Sequence, residues 1–219
     1  MLSAILWDND GVLVDTERYY FEANRDYLRR FGVELSEENY FQWYLCDNRG
    51  AWHLLDENAS LEQIAHWRHE RNALHIELLK RAGSLLMPGI KRVLERLNGR
   101  VDMGIVTSAT RASFEAIHKR HDILRHFRFV LTADTYDEAK PSPEPYLLGL
   151  KHLGRQAKEC LVVEDSPRGL QAALAAGIRC IILRHPLSRH HDFSGAWRIV
   201  GSMDELLVEI EALLEGTGS

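Results

Sequence analysis

Two carboxylates follow the first apolar run of the chain and stand one residue apart. They are Asp8 and Asp10, and Gly11 behind them lets the backbone turn sharply. Paired acidic groups at the end of a buried strand repel each other unless something compensates their charge. A divalent cation would do so, and oxygen ligands are those that magnesium prefers. On this spacing alone, a metal site and a polar turn in which an aspartate caps a helix are equally favoured.

Further polar groups stand at the ends of later apolar runs. Thr107 and Ser108 end the second long run, Lys140 precedes a proline-stiffened turn, and Glu164 and Asp165 end another run. Taken singly, the hydroxyl and acidic groups are typical helix caps, and a loop lysine is typical of solvated surface. Ligands bind at the carboxyl ends of the strands in open α/β sheets. The recurrence of these groups at strand-to-helix turns therefore favours one shared site.

The elements that must position these groups alternate between short apolar runs and amphipathic stretches. This pattern predicts an α/β fold with a Rossmann-like parallel sheet, because strands buried on both faces read as nearly continuous apolar runs. Strands are predicted at 4–7, 102–107, 129–132, 161–163, 179–183 and 197–200. Helices are predicted at 90–97, 112–121, 144–153, 167–176 and 203–214.

One interval interrupts the alternation. Residues 16–84 contain helical patterns but no strand, which predicts a helical insertion into a core formed by residues 1–15 and 85–219. The last inserted helix is predicted at 61–81, with Arg71 in the middle of an otherwise apolar row. The other members of that row are Ile64, Trp67, Leu74 and Leu78.

The four groups of motif residues, in this order, resemble the haloacid dehalogenase superfamily. They are residues 8–12, Thr107, Lys140 with Pro141, and Glu164 with Asp165. The resemblance is to the branch that contains β-phosphoglucomutase and small phosphosugar phosphatases. It extends over nearly the whole chain, and the inserted region is the part that matches least.

The resemblance implies a magnesium-dependent phosphatase that works in two steps. Asp8 would attack phosphorus and carry an aspartyl phosphate, which splits one difficult displacement into two easier ones. Asp10 would protonate the leaving oxygen and then take a proton from water. Thr107 and Lys140 would contact the phosphoryl oxygens, and Ser108 would offer a further donor.

The resemblance also implies the ligands of the magnesium ion. They would be the carboxylate of Asp8, the backbone carbonyl of Asp10 and the carboxylate of Asp165. Glu164 would bind the ion directly or support the residues that do. Positive charge is needed because an anionic carboxylate must approach an anionic phosphate, and like charges ~4 Å apart repel by about 4 kcal/mol at an effective dielectric near 20.

In the resembling family the helical insertion is a cap that opens and closes over the aspartate loop. Its hinges would lie at 14–17 and 82–87. Arg71 and Arg49 are our candidates for reading the distal group of the substrate, because a guanidinium suits oxyanion recognition. The alternative is that either arginine extends to solvent along its aliphatic stem or pairs with a neighbouring glutamate.

A sugar phosphomutase is the alternative activity. Mutases resembling this chain carry a histidine five residues after the aspartate of an Asp-Thr pair, together with a lysine in the cap. Here the pair is Asp15–Thr16 and the histidine position holds Tyr20, while Arg71 stands in the region of the lysine. Loss of the histidine favours hydrolysis, because water then meets less competition from a bound second sugar.

Three other functions fit the residues less well. A dehalogenase would need neither Asp10 nor magnesium, and a phosphonatase would use a lysine placed more centrally in the cap than Lys80. A non-catalytic module that binds a partner could lose Asp8 or Asp10 without penalty, whereas both are present. Fold alone does not decide function, so this choice depends on the site.

Composition limits the partners. The formal net charge of -5 gives no basic surface for nucleic acid or an anionic membrane. No apolar run reaches the roughly 18–20 residues that span a bilayer, and three widely spaced cysteines suit a reducing cytoplasm. We expect a cytoplasmic monomer or weak homodimer that binds a small phosphorylated metabolite.

Overall fold

The computed structural model describes residues 2–47, 49–184 and 191–216. The chain forms two compact units. The core unit contains the chain up to Asp15 and the chain from Leu86 onward, and the inserted unit contains Thr16–Leu85. Within the described ranges, none of the helices has the length and apolar character that a membrane crossing requires.

A six-stranded parallel sheet forms the centre of the core unit. Its strands are β1 Ala4–Trp7, β2 Asp102–Val106, β3 Val130–Leu131, β4 Cys160–Glu164, β5 Arg179–Leu183 and β6 Arg198–Val200. Their spatial order is β3-β2-β1-β4-β5-β6, so β1 lies between β2 and β4. Every residue of β1 and β4 is buried, as expected of the apolar residues that make up both strands apart from Glu164 at the end of β4.

Helices connect the strands of the core unit. They are α4 Ile90–Leu97, α5 Arg111–His118, α6 Glu144–Leu153, α7 Pro167–Ala175 and α8 Met203–Leu214. The predicted α/β fold is confirmed, and the differences lie at element ends. Helix α5 begins at 111 and ends at 118, whereas the apolar pattern predicted 112–121. Its start is set by Thr110, whose side chain caps the helix by accepting the backbone N–H of Ser113 at 3.4 Å.

The inserted unit is helical. Its helices are α1 Glu17–Arg29, α2 Glu37–Tyr40, a π-helical segment Phe41–Cys46 and α3 Leu61–Arg81. A capping box begins α3, in which Ser60 accepts from the N–H of Gln63 and the side chain of Gln63 accepts from that of Ser60. The buried residues of α3 are Arg71, His75 and Leu79. In the predicted apolar row only Arg71 is buried, and the other members are half-buried: Ile64, Trp67, Leu74 and Leu78.

Candidate active site

The central strands bring the predicted groups to one edge of the sheet. Parallel pairing sets Trp7 level with Ile105 of β2 and with Val163 of β4. Asp8, the first residue after β1, and Glu164, the last residue of β4, therefore stand side by side. Both are buried, with exposed fractions of 8% and 0%.

Lys140 joins these two carboxylates. Its ammonium nitrogen lies 2.6 Å from Oδ1 of Asp8 and 2.7 Å from Oε1 of Glu164, and it also donates to the carbonyl of Val106 at 3.0 Å. The ring of Tyr146 lies below the ammonium group, 4.8 Å away. Only 3% of Lys140 is exposed, so this loop lysine is not solvated surface.

One ammonium group compensates two buried carboxylates incompletely. Burial and the charge of Glu164 raise the pKa of Asp8 to about 8, against the lowering effect of Lys140. Burial also tends to raise the pKa of Glu164, but Lys140 and several hydrogen bonds outweigh it and lower that pKa. Burial lowers the pKa of Lys140, yet the two carboxylates raise it above its usual value overall. The cluster therefore has room for more positive charge.

Hydrogen bonds fix Glu164 on both of its carboxylate oxygens. Oε1 accepts from Lys140 and from the hydroxyl of Tyr146 at 2.8 Å. Oε2 accepts from the N–H of Asp165 and from both the N–H and the hydroxyl of Ser166, at 3.1, 3.2 and 2.9 Å. A Cβ on Gly169 would lie 1.8 Å from this carboxyl group. Glu164 thus organises the loop that begins α7.

Asp165 completes an acidic cluster that could hold a metal ion. One carboxylate oxygen from each of Asp8, Glu164 and Asp165 lies within 4.8 Å of the others. Opposite ligands of octahedral magnesium are ~4 Å apart, so these oxygens match such an ion in type and nearly in spacing. Gly11 makes room for Asp165, because a Cβ on it would lie 1.9 Å from Oδ2, and its φ of 78° also disfavours other residues.

Thr107 and Asp10 meet at the same edge. The Thr107 hydroxyl donates to Oδ2 of Asp10 at 3.4 Å and accepts from the N–H of Ala109 at 3.0 Å. The caps of the following helices are Thr110 for α5 and Ser166 for α7. Helix capping therefore does not explain Thr107, Ser108 or Asp165. Ser108 is exposed and hydrogen bonds to Tyr136.

Sequence reasoning missed four polar residues that support this cluster: Asn9, His118, Tyr136 and Tyr146. The hydroxyl of Tyr136 donates to the carbonyl of Thr107 at 2.9 Å. The Nε2 atom of His118 lies 2.7 Å from Oδ1 of Asn9. Burial lowers the pKa of His118 to about 4, although the charge of Asp10 opposes that shift. Tyr136, Tyr146 and His118 had no local signal, since each acts through a contact that only the folded chain makes, and Asn9 stands between two aspartates whose signal is stronger.

The inserted unit places its two predicted arginines differently. Arg71 is 5% exposed, and its guanidinium donates to the amide oxygens of Asn24 at 2.6 Å and Asn72 at 3.1 Å. It also lies 4.4 Å from the ring centroid of Tyr20. The side chain of Arg49 is 54% exposed and pairs with Asp47 at 3.3 Å. Substrate binding by either arginine stays a prediction.

A Rossmann-like α/β core with an acidic, lysine-containing site at its sheet edge defines the class of this chain. The family model described as haloacid dehalogenase-like hydrolase matches residues 5–183. The chain belongs to the haloacid dehalogenase-like hydrolase family, as the motifs predicted.

Relatives of known name include two phosphatases. The chain is 32% identical over 186 residues to the phosphorylated carbohydrates phosphatase of Thermotoga maritima, covering 82% of this chain and 84% of the relative. It is 32% identical over 182 residues to hexitol phosphatase A of Escherichia coli, covering 83% of this chain and 82% of that one. The predicted phosphosugar phosphatase branch is thus confirmed.

A solved structure of a related protein has a similar fold. CbbY from Rhodobacter sphaeroides, crystallised as a mutant in complex with xylulose-(1,5)bisphosphate, superposes with a TM-score of 0.81 at 28% identity. The match covers 94% of this chain and 96% of that chain.

Proposed function

We propose that this chain hydrolyses a small phosphate monoester, a phosphosugar or a similar metabolite, with Asp8 as the nucleophile. The observation that carries this proposal is that carboxylate oxygens of Asp8, Glu164 and Asp165 lie within 4.8 Å of one another, next to a lysine whose ammonium nitrogen is 2.6 Å from Asp8. The named phosphatases among its relatives support the reaction class. The sugar bisphosphate bound by CbbY supports the substrate class.

In the first step an oxygen of Asp8 forms a bond to phosphorus while the bond from phosphorus to the ester oxygen breaks. Lys140 lies beside this carboxylate, where its charge offsets the repulsion between two anions. Thr107 and Ser108, which follow the neighbouring strand β2, offer hydroxyl groups for the phosphoryl oxygens. These donors stabilise the charge that spreads over the equatorial oxygens in the transition state.

Asp10 serves both steps as the acid–base group. It gives a proton to the leaving oxygen, and it then takes one from the water that attacks the aspartyl phosphate. Such proton transfer is typically worth ~10²–10⁴-fold in rate. The hydrogen bond between Asp10 and Thr107 keeps the acid–base group next to a phosphoryl-binding group.

Magnesium is the cofactor that we propose. When bound, it supplies positive charge and holds the phosphate against Asp8. The carboxylates of Asp8 and Asp165 and the backbone carbonyl of Asp10 would hold it, and Glu164 would be a further ligand or fix the loop that carries Asp165. The oxygen-only donor set and the charge imbalance around Lys140 both fit a hard divalent cation.

Hydrolysis is preferred to the mutase reaction because of Tyr20. This residue stands at the position of the mutase histidine, and its ring packs among the side chains of Tyr40, Tyr44 and His75 in the inserted unit. The proposal includes two further roles. Residues 16–84 form the cap, and Arg49 and Arg71 take part in substrate choice. A cytoplasmic location and a monomeric or weakly dimeric state are also part of the proposal.

The test is a screen of phosphorylated metabolites for phosphate release in the presence of magnesium, with Asp8→Asn as the blank. Phosphosugars should be hydrolysed best. Release from no metabolite, or equal release by the blank, overturns the proposal. The same plate should hold β-glucose 1-phosphate with its bisphosphate, and formation of glucose 6-phosphate in that well would establish the mutase instead.

Arg49→Ala and Arg71→Ala belong in the same screen. At least one of them should change the order of preferred metabolites while activity on the smallest esters is retained. Unchanged preference in both variants removes the arginines from the proposal.

A further inference from the structure

A buried chain of hydrogen bonds leads from α5 to the acid–base carboxylate. His118 Nε2 lies 2.7 Å from Asn9 Oδ1, and Asn9 Nδ2 donates to Oδ2 of Asp10 at 3.1 Å. Asn9 and His118 are 0% and 4% exposed. Asp10 Oδ2 also accepts from Thr107 at 3.4 Å. Two donors from different elements therefore converge on one oxygen of Asp10.

The carboxylate of Asp10 determines which atom donates in each hydrogen bond of the chain from His118 through Asn9. An ionised carboxylate only accepts, so the Asn9 atom that faces Asp10 is the amide nitrogen, and the other end of the amide is its oxygen. That oxygen also only accepts, so His118 must donate from Nε2. Its Nδ1 then carries the lone pair, and within the described part of the chain this buried atom has no hydrogen-bond partner. The imidazole is thus held as the neutral Nε2–H tautomer.

The Asn9 side chain is not needed for the turn in which it stands. The backbone carbonyl of Asn9 accepts the N–H groups of Val12, Leu13 and Val14, at 3.3, 2.8 and 3.0 Å, and any residue offers that carbonyl. Burying an amide and an imidazole costs free energy unless both are hydrogen bonded, whereas a pair of apolar side chains would fill the space without that requirement. The polar pair therefore points to a role at the group that it contacts, which is Asp10.

We propose that Asn9 and His118 are positioning residues that hold Oδ2 of Asp10, so that the proton that Asp10 exchanges is carried on Oδ1. This inference rests on the proposed function, in which Asp10 is the general acid. Oδ2 still accepts the amide N–H of Asn9 when the single proton of the Thr107 hydroxyl turns to a phosphoryl oxygen, so Oδ1 is the oxygen left to carry the exchanged proton. Loss of the pair would let the carboxylate rotate and place its proton wrongly for the leaving oxygen.

The test compares His118→Leu, which removes the donor, with His118→Gln, whose amide nitrogen can replace Nε2. The substrates are p-nitrophenyl phosphate, whose leaving group departs without a proton, and phenyl phosphate, whose leaving group resembles the tyrosine phenol with a pKa of about 10. Values of kcat/KM report the steps up to phosphorylation of the enzyme. They therefore measure Asp10 as the acid of the first step and do not include its role as the base of the second. His118→Leu should lose about 10-fold with phenyl phosphate and less than about 3-fold with p-nitrophenyl phosphate, a part of the usual acid–base contribution. His118→Gln should restore the wild-type ratio.

A purely structural role predicts other results. Equal losses on both esters in His118→Leu, or no recovery in His118→Gln, overturn the inference and leave the proposed function intact. Phosphate release from no ester by the wild type overturns both.

A double variant deals with the chance that His118→Leu folds poorly. Asn9→Val with His118→Leu removes donor and acceptor together, and such paired removal can be nearly neutral for stability. It should recover the unfolding temperature of the wild type but keep the poor ratio of phenyl to p-nitrophenyl phosphate. Recovery of both quantities would show that the pair only fills the core.

Discussion

Among the residues that the structure describes, the core unit and the inserted unit each bury one lysine or arginine side chain, and they compensate its charge by different means. Lys140 in the core unit lies between the carboxylates of Asp8 and Glu164, whereas Arg71 in the inserted unit is held by two amide oxygens and the ring of Tyr20. Burial of a charge is costly without such partners. The two carboxylates around Lys140 carry more negative charge than one ammonium group balances, so this cluster can bind a further cation. The groups around Arg71 are neutral, so they stabilise the guanidinium without attracting another ion.

The largest effect should come from the core carboxylate that is the proposed nucleophile. Asp8→Asn should abolish turnover of every ester, because an amide cannot form the covalent intermediate. The variant should be no less stable than the wild type without magnesium, since it removes one of two acidic groups that share Lys140. Asp122→Asn is the matched control, because its carboxylate is in the same unit with 79% of its side chain exposed. A measurable kcat for Asp8→Asn, or a loss in the control, would contradict the assignment.

Magnesium should stabilise the core through Asp165. A ligand at 100 times its Kd stabilises the folded state by ~2.7 kcal/mol, which should raise the wild-type unfolding temperature by several degrees. Asp165→Asn should lose most of that shift, because it removes one ligand of the proposed ion. Thermal unfolding with magnesium chloride and with sodium chloride at equal ionic strength separates binding from screening. An equal shift in both proteins would place the ion elsewhere.

The two buried cations can be compared directly. Lys140→Met leaves two buried carboxylates without their partner and should destabilise by about 3–5 kcal/mol. Arg71→Met removes hydrogen bonds to neutral oxygens and should cost about 2 kcal/mol. Added magnesium should restore part of the loss in Lys140→Met and none in Arg71→Met, as followed by thermal unfolding. Equal responses to magnesium would remove the distinction between the two units.

A further prediction concerns the pH dependence of stability. His118 is neutral in the folded core with a pKa of about 4, whereas an exposed histidine in the unfolded chain titrates near 6.5. As the pH falls from 6.5 to 4, the unfolded chain therefore binds a proton that the folded chain does not, and stability falls by up to about 3 kcal/mol. His118→Gln should lack this component, so its stability should fall less than that of the wild type over this range. Parallel curves from urea unfolding at several pH values would refute the prediction.

The contrast between the core unit and the inserted unit also explains which site residues could be predicted from sequence. Asp8 and Glu164 were predicted because acidic residues recur where apolar runs end, and parallel strands carry such ends to one edge. Lys140 was predicted from its place before a proline-stiffened turn into the next helix. Helical periodicity marked Arg71 as unusual but said nothing of its partners, because Asn24 lies 47 positions away in sequence.

Supporting residues escaped prediction for a related reason. Tyr146 and His118 lie within helices and reach the acidic groups only through tertiary contacts. Asn9 was hidden between two more conspicuous aspartates.

The two-residue strand β3 was predicted as four residues, since apolar character extends beyond the pairing with β2.

The spacing of the acidic cluster depends on two residues that have no side chain. A methyl group on Gly11 or on Gly169 would occupy the space that the carboxyl groups of Asp165 and Glu164 now fill. Neither glycine donates, accepts or carries charge through a side chain, yet each sets where an acid can stand. In a library of variants selected for growth on this activity, both positions should tolerate as few replacements as the aspartates themselves.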